Sequence, residues 1–229
     1  MCGRFTQHSE LGVLAERFGA PVPKLDFQPR YNLAPGQDAL VVVQDPERRL
    51  LPMRWGLVPA WVKDPHATPR PINARAENAA DKPMFRQAYR RRRCLVPADG
   101  FYEWRPAAKG QGKTPMLFQR RDRAPCAMAG LWESWREPEG RELLTFTILT
   151  TAANDLVRPV HDRMPVILAP ESEAPWLDPD RRDPSALAGL VRPYPAGLML
   201  AQRVSPAVNS IANEGPDLIT PAPEQPSLV

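Results

Sequence analysis

The amino terminus carries the most reactive combination of groups in this chain. The sequence begins Met1-Cys2-Gly3-Arg4-Phe5. Once Met1 is removed, Cys2 bears a free α-amine and a thiol on one residue, which is a 1,2-aminothiol. An amine forms Schiff bases with carbonyls and a thiolate attacks electrophiles, so together they can capture one aldehyde twice and close a thiazolidine ring. An incidental cysteine beside the start is the alternative, but Gly3 has no Cβ and lets another group approach the terminal backbone closely, which favours a functional Cys2.

Two further segments carry polar side chains suited to such chemistry. Asn73 can orient an amine or a carbonyl oxygen through its amide, and Arg75 shares its side of a strand. A capped turn with a surface arginine is the alternative. Glu103 lies in the aromatic run Phe-Tyr-Glu-Trp, where burial would raise its pKa toward the range of a general acid or base. A strand glutamate facing water is the alternative there.

The histidines and tryptophans offer a proton carrier and stacking surfaces. His161 is one of three histidines and precedes a predicted strand, so it lies at a loop end. Histidine is the usual proton shuttle near neutral pH, although a structural histidine fits equally well. Six tryptophans are present, and exposed ones could stack on splayed bases. We expect most to be core residues and two at most to stack.

Composition indicates one soluble globular domain with short elements. The chain has 229 residues, of which 43% are hydrophobic and 24% charged. The 29 prolines are more than twice the typical share of about 5%, and they favour short strands and fixed loops over long helices. No segment approaches the roughly 18 apolar residues of a membrane helix, and no signal peptide follows Met1. The three cysteines form no CxxC pair, which favours reduced thiols in a cytosol over a zinc or disulfide framework.

The charge pattern is only modestly basic. The net charge is +4, and arginine supplies nearly all the cations. Arginine binds phosphate in a bidentate manner, but a small positive charge alone is weak evidence for nucleic-acid binding. The run of four arginines at 90–93 ends a predicted helix, where cations favour the helix dipole, and we predict a solvated surface for it.

The order of elements predicts an α+β fold, because runs of strands with segregated short helices do not make a parallel βαβ pattern. A helix is predicted to begin at a Ser9 cap and to end at Gly19. Loops are predicted at 25–35 and 55–72. Further helices are predicted at 83–92, 171–176 and 185–190, and strands at 40–43, 50–55, 94–97, 101–104, 115–119, 127–132, 143–150, 164–168 and 198–204.

Taken in order, these segments resemble the SRAP (SOS response-associated peptidase) family of abasic-site-processing proteins. The resemblance rests on Met-Cys-Gly-Arg-Phe, Ile-Asn-Ala-Arg, Phe-Tyr-Glu-Trp and His-Asp-Arg-Met-Pro, with Tyr-Asn-Leu-Ala-Pro at 31–35, Trp-Gly-Leu-Val-Pro at 55–59 and Val204-Ser205 with Asn209. It implies a single SRAP domain over 1–219, with mostly antiparallel strands in a twisted barrel-like sheet and short flanking helices. The Pro-rich tail at 220–229 is predicted to be disordered.

The resemblance also implies roles for individual residues. Cys2 would link covalently to the abasic site, Asn73 would position Cys2 and the sugar, Glu103 would help open the sugar, and His161 would stabilise or protonate it. The implied DNA contacts are Arg4, Arg75, Arg163, Trp61, Trp104 and Asn209. The sequence departs from the family at Ala-Gln-Arg (201–203), where members often have an aromatic residue or a histidine, so DNA contacts there stay open.

The implied function is capture of abasic sites in single-stranded DNA as a thiazolidine crosslink, which shields the site during the DNA damage (SOS) response. Peptidase activity would be self-cleavage of Met1, although an ordinary aminopeptidase would serve as well, and the crosslinking step is lyase-like Schiff-base chemistry. No metal or cofactor is expected, and the protein would be a cytoplasmic, nucleoid-associated monomer. The alternatives are an N-terminal-nucleophile glutamine amidohydrolase and a non-covalent single-stranded DNA binder.

Overall fold

The computed structural model describes residues 2–65, 67–106, 112–137 and 140–222. Within these ranges the chain forms thirteen strands, five α-helices and three short 3₁₀ helices. The strands are β1 (Phe5–Gln7), β2 (Arg30–Leu33), β3 (Asp38–Gln44), β4 (Arg48–Trp55), β5 (Asn73–Arg75), β6 (Arg93–Ala98), β7 (Gly100–Arg105), β8 (Thr114–Arg120), β9 (Cys126–Arg136), β10 (Glu142–Ala152), β11 (Arg163–Pro165), β12 (Ile167–Leu168) and β13 (Met199–Arg203). The helices are α1 (Leu11–Phe18), α2 (Ala76–Ala79), α3 (Arg86–Arg91), α4 (Pro170–Leu177) and α5 (Pro184–Ala188), and the 3₁₀ helices are Ala196–Leu198, Pro206–Asn209 and Pro216–Ile219.

Five strands close into a barrel in the order β4, β3, β6, β9 and β10, because β10 pairs with both β9 and β4. All of these pairs are antiparallel except β10 with β4. Gly130 on β9 allows the closure: a Cβ there would lie 2.8 Å from Cys94 Sγ and 3.1 Å from the Thr147 carbonyl oxygen. Closure also removes exposed strand edges among these five strands.

A second, five-stranded antiparallel sheet runs in the order β13, β8, β7, β1 and β2. It brings the amino-terminal strand β1 against β7, the strand that carries Glu103. The residues just before β1 therefore run alongside the middle of β7.

Alternation along the barrel strands divides the core into two layers. On β3, Val41 and Val43 pack into the cluster that also contains Cys2, whereas Leu40 and Val42 pack into the cluster under the helices. Helices α1, α3, α4 and α5 contribute buried side chains to this second cluster. The site of Cys2 and the helical layer thus lie on opposite faces of the barrel wall.

The predicted α+β class and barrel-like sheet are confirmed, and most of the predicted strands occur with longer bounds. The strand predicted at 198–204 is shorter, at Met199–Arg203, and the one predicted at 164–168 is divided into β11 and β12. The predicted end of α1 is also correct, since Gly19 adopts a left-handed conformation with φ 61°. The predicted Ser9 cap is wrong: Glu10 holds the cap position without a side-chain hydrogen bond, and Ser9 donates to Asp99 instead. Strand β2 lies inside a predicted loop, because its pairing with β1 is a long-range contact.

The prediction of a solvated arginine run holds for only part of it. Arg90 and Arg91 are exposed, but Arg93 is the first residue of β6 and is 4% exposed. Its guanidinium donates to the carbonyl oxygens of residues at the ends of α3 and α4. Arg93 differs from Arg90 and Arg91 because the buried strand β6 begins almost directly after α3.

The carboxyl-terminal part of the described chain returns to the second sheet. Pro221 forms an isolated bridge with Val204, and the Ala222 N–H donates to the Arg203 carbonyl oxygen at 2.9 Å. Residues 223–229 of the predicted tail lie outside the described residues. None of the helices in the described ranges has the length and apolar character needed to span a bilayer.

Candidate active site

Cys2 lies just before β1 with no exposed surface, in a cluster with Phe5, Phe101 and Cys126. Its Sγ is 3.8 Å from the Arg4 carbonyl oxygen, to which the thiol donates. Burial raises the pKa of the Cys2 thiol, and the negative charge of Glu103 raises it further. The thiol is therefore protonated at neutral pH.

The pairing of β1 with β7 places Glu103 beside Cys2. Phe5 pairs with Phe101, and the Tyr102 N–H donates to the Arg4 carbonyl oxygen at 2.9 Å. Continuing this antiparallel register sets Glu103 opposite Gly3. Glu103 is only 5% exposed, so the alternative in which it faces water is excluded. A buried carboxylate next to a buried thiol is an arrangement that can exchange a proton.

Asn73 approaches Cys2 from the barrel side. It begins β5, which runs parallel to β10, and its Nδ2 donates to the Cys2 carbonyl oxygen at 2.7 Å. The preceding carbonyl oxygen of Ile72 accepts from Trp55 Nε1 at 2.9 Å, which holds the start of this strand. The Asn73 Oδ1 atom is buried and accepts no hydrogen bond from any described residue. Because buried acceptors are nearly always satisfied, this oxygen is suited to receive an N–H or O–H from a bound group.

His161 lies immediately before β11 with its side chain 30% exposed. Its Nδ1 is 2.8 Å from Asp162 Oδ1 and 2.9 Å from the backbone nitrogen of Arg163. The contact with Arg163 needs an unprotonated Nδ1, and the contact with the carboxylate needs a protonated one. His161 is thus a partly exposed imidazole at the start of the strand that pairs with the end of β10.

Arg163 joins the segment of His161 to the segment of Asn73. Its guanidinium forms a bidentate ion pair with Glu77 at 2.7 and 2.8 Å and donates to the Thr150 carbonyl oxygen at 2.6 Å. This pairing lowers the pKa of Glu77. Because β5 and β11 both pair with β10, the ion pair ties the two segments across that strand. The predicted DNA contact Arg163 is thus already engaged by protein groups.

Arg4, Trp104 and Asn209 form one cluster. Arg4 Nη1 donates to Asn32 Oδ1 at 2.6 Å and to the Val208 carbonyl oxygen at 2.8 Å. The Arg4 guanidinium lies 5.7 Å from the centre of the Trp104 ring, whose Nε1 donates to Asn209 Oδ1 at 2.7 Å. Partial burial lowers the pKa of Arg4. The cluster connects the segment after β13 to Arg4, just before β1, and to Trp104 on β7.

The other two predicted DNA contacts, Arg75 and Trp61, are exposed. Arg75 ends β5, with its side chain on the surface. Trp61 is 60% exposed on the turn at 58–62. The Val58 N–H donates to Thr145 Oγ1 at 2.9 Å, and Trp135 Nε1 donates to the Val62 carbonyl oxygen at 2.7 Å. This anchored turn holds an aromatic ring in solvent, separate from the buried cluster of Cys2.

Sequence reasoning missed Glu77 and Asn32, whose contacts are long-range, and it missed Asp99. The Asp99-Gly100 pair has the form of an ordinary turn, which conceals that the carboxylate is buried. Within the described ranges, no group of three histidine, cysteine, aspartate or glutamate side chains is arranged to hold a metal ion.

Comparison with known proteins shows the family and the fold of the chain. Residues 1–211 match the model of the family described as SOS response associated peptidase (SRAP). The chain is 45% identical over 222 residues to the abasic site processing protein YoqW of Bacillus subtilis, across 96% of this chain and 99% of that protein. It is 35% identical to the abasic site processing protein YedK of Escherichia coli, across 96% of this chain and 100% of that protein. A crystal structure of a protein from Bacteroides thetaiotaomicron has a TM-score of 0.83 and 28% identity, and it covers 96% of this chain and 100% of that one.

Proposed function

This chain belongs to the SRAP family, and we propose that it processes abasic sites in single-stranded DNA by linking them covalently to Cys2. The relatives YoqW and YedK carry the name abasic site processing protein. The observation that carries the proposal is the convergence of Asn73 and Glu103 on Cys2. An abasic sugar in equilibrium with its open form presents an aldehyde at C1′, the electrophile that an aminothiol captures.

The amine of Cys2 acts first. Removal of Met1 frees this amine, whose reference pKa of about 7.7–8.0 leaves part of it neutral at pH 7. The buried thiol has a raised pKa and stays protonated, so it is the weaker nucleophile at this stage. The amine adds to the C1′ aldehyde, and the adduct loses one water to give an imine.

The thiol then closes the ring. Sγ adds to the imine carbon, Glu103 takes the thiol proton, and the same proton is delivered to the nitrogen. The products are one thiazolidine and one water, with no change in oxidation state. Because both nucleophiles lie on Cys2, effective molarities on the order of 10⁵ M or more apply. The ring leaves no free aldehyde, which protects the strand from β-elimination.

Asn73 and His161 prepare the two partners. The 2.7 Å hydrogen bond from Asn73 Nδ2 holds the Cys2 carbonyl, which fixes the direction of the amine, and its unpaired Oδ1 accepts one amine N–H. His161 donates a proton to the sugar O4′ or a hydroxyl as the ring opens.

Single-stranded DNA would bind through cationic and aromatic groups around the site. Exposed Arg75 contacts a phosphate, and exposed Trp61 stacks on a base. Arg4, Trp104 and Asn209 line the path on the other side, and Arg163 contributes through its position beside His161. We propose that one copy of the chain suffices and that it acts in the cytoplasm on the nucleoid.

Removal of Met1 is proposed to be self-cleavage by the same residues. Intact-mass measurement of a Glu103→Gln protein tests this: retained Met1 in the variant, with Met1 lost from the wild type, supports self-cleavage. Loss of Met1 from both proteins assigns the step to an aminopeptidase.

A denaturing gel with abasic single-stranded DNA tests the main proposal. The wild type gives a heat-stable shifted band, and Cys2→Ala gives none. An oligonucleotide with a tetrahydrofuran site, which has no aldehyde, gives no band with either protein. A band that survives in Cys2→Ala removes Cys2 from the chemistry. Salt-sensitive binding equal on intact and abasic strands, without a band, indicates a non-covalent binder, and ammonia released from glutamine indicates an amidohydrolase.

A further inference from the structure

We propose that Asp99 is a positioning residue, whose carboxylate clamps the backbone after β1 and so sets the register that brings Cys2 beside Glu103. The inference rests on the proposed function, because it concerns the placement of that reaction's nucleophile. Asp99 itself lies at the far end of β1 from Cys2 and touches neither of its reactive groups.

The clamp consists of a buried carboxylate satisfied by two consecutive residues. Asp99 Oδ2 accepts from the backbone N–H of His8 at 2.5 Å and of Ser9 at 2.9 Å, and its Oδ1 accepts from Ser9 Oγ. His8 Nδ1 lies 3.4 Å from the same carboxylate. Asp99 is 4% exposed, and among the described residues no lysine or arginine pairs with it. A buried carboxylate costs free energy unless hydrogen-bond donors compensate it. The described donors to the Asp99 carboxylate belong to His8 and Ser9, so this short segment is held to Asp99.

The ladder between β1 and β7 is too short to fix its own register. Strand β1 has three residues, and its pairing with β2 contains a register shift between Phe5 and Gln7. On the β7 side the described pairs are Phe5 with Phe101 and Thr6 with Gly100. A slip of one residue turns every side chain to the opposite face. Such a slip would also move Cys2 along β7 by one residue, about 3.3 Å, and so change its distance from Glu103.

Neighbouring groups make the clamp rigid. A Cβ on Gly100 would lie 2.8 to 2.9 Å from three atoms of β8, so β7 and β8 approach closely beside Asp99. Gln119 Nε2 donates to the Asp99 carbonyl oxygen at 3.2 Å, and the Asp99 N–H donates to the Thr6 carbonyl oxygen at 2.9 Å. Gln7 holds the same segment to the barrel through both atoms of its amide, which bond to the backbone of Leu40 and Pro97.

Different contacts hold the two ends of the amino-terminal segment. Asp99 and Gln7 fix its carboxyl-terminal end, and Asn73 holds the Cys2 carbonyl at the other end. With the far end fixed, the ladder carries Cys2 to one position opposite β7. Loss of the clamp therefore changes the alignment of the nucleophile more than it changes the surface that meets DNA.

The test compares Asp99→Asn with wild type by the rate of crosslinking and by the affinity for a tetrahydrofuran-site oligonucleotide, which binds without reacting. The amide keeps the size of the side chain but turns an NH₂ group toward donors. We expect the rate at saturating DNA to fall by about tenfold to 10²-fold, the range a misplacement of about 1 Å produces, with the affinity within about twofold. Ser9→Ala, which removes one of the three donors, is the milder second variant and should show a smaller loss of rate with the same unchanged affinity.

A matched control separates positioning from general destabilisation. Leu50→Ala removes a buried side chain of the helical layer, which lies on the opposite face of the barrel wall from Cys2, and it should lower stability without lowering the rate of the folded protein. Hydrogen exchange adds a readout that needs no DNA: the Thr6 and Tyr102 amides should lose protection in Asp99→Asn but not in Leu50→Ala. Unchanged crosslinking and unchanged protection in Asp99→Asn overturn the inference. Absence of crosslinking by the wild type refutes the proposed function instead, while the exchange data still decide whether the clamp exists.

Discussion

At the scale of the residue, the site keeps the two nucleophiles of Cys2 in different states. Burial, and then the charge of Glu103, raises the pKa of the thiol, whereas the reference pKa of an α-amine is about 7.7–8.0. A protonated thiol cannot form disulfides or capture stray electrophiles efficiently. Under the proposed mechanism, the Glu103 carboxylate would take the thiol proton when the imine forms.

Glu103→Gln should slow ring closure and its reversal while leaving DNA binding intact, because an amide cannot carry the proton from sulfur to nitrogen. The loss of general acid–base catalysis is expected to be about 10²-fold. Single-turnover crosslinking measures it, and binding of a tetrahydrofuran-site strand provides the affinity.

Glu133→Gln is the matched control, since Glu133 is another buried strand glutamate, which pairs with Arg92. That variant should lose stability and keep its crosslinking rate. Equal rates for Glu103→Gln and wild type would remove Glu103 from the proton transfer.

At the scale of the element, one buried arginine terminates two helices. Arg93 donates to the carbonyl oxygens of Tyr89 and Arg90 at the end of α3, and of Trp176 and Asp178 at the end of α4. Its guanidinium also lies 5.6 Å from the centre of the Trp176 ring. Helix carboxyl termini leave carbonyl groups unpaired and partly negative, so one planar cation satisfies both ends. This contact fastens the helical layer to β6 of the barrel.

Arg93→Met should therefore destabilise the protein by about 3 kcal/mol, because it leaves buried carbonyl oxygens without donors. Arg93→Lys should recover only part of the loss, since an ammonium group lacks the planar fork. Urea denaturation gives the free energies of unfolding. Arg91→Met, an exposed neighbour, is the control and should change stability by less than about 0.5 kcal/mol. A similar small effect at position 93 would contradict the capping role.

At the scale of the whole molecule, the fold buries all three thiols in the described chain as free cysteines. Burial raises the pKa of Cys126 from an ordinary 9.0 to about 12, and it also raises that of Cys94. Above pH 9 the unfolded chain releases these protons and the folded chain keeps them. The unfolded state then binds fewer protons, so stability falls as pH rises.

The stability of the reduced protein should accordingly decline between about pH 9 and 12, and each such thiol contributes up to about 1.4 kcal/mol per pH unit. Urea denaturation at pH 7.5 and pH 10 with a reductant measures this decline. Cys126→Ala removes one titrating group and should show a shallower decline from pH 7.5 to pH 10, whatever its stability at pH 7.5. Parallel declines for the two proteins would show that the Cys126 thiol does not contribute.

The local sequence pattern predicted the positions of most strands and helices, because these positions depend on interactions between residues close in the chain. Alternation and turn residues located the strands, and Gly19 located a helix end. The local sequence pattern does not specify which strands pair. Strand β2 and the pairing of β10 with β4, which closes the barrel, therefore could not be predicted from it. The arginine run illustrates the same limit, since whether Arg93 faces solvent depends on where α4 ends.

Residue types along the chain already specify the groups available for chemistry: an aminothiol precursor at Cys2, the polar residues Asn73, Glu103 and His161, and the ordered motifs that mark the family. Which of these groups meet, and in what state, depends on contacts that form only in the folded chain. The pairing of β1 with β7 places the buried Glu103 near Cys2, the Asn73 amide on β5 donates to the Cys2 carbonyl, and Glu77 pairs with Arg163. Residue type sets what a group can do, but its pKa and its partners depend on burial and on contacts between residues far apart in the chain.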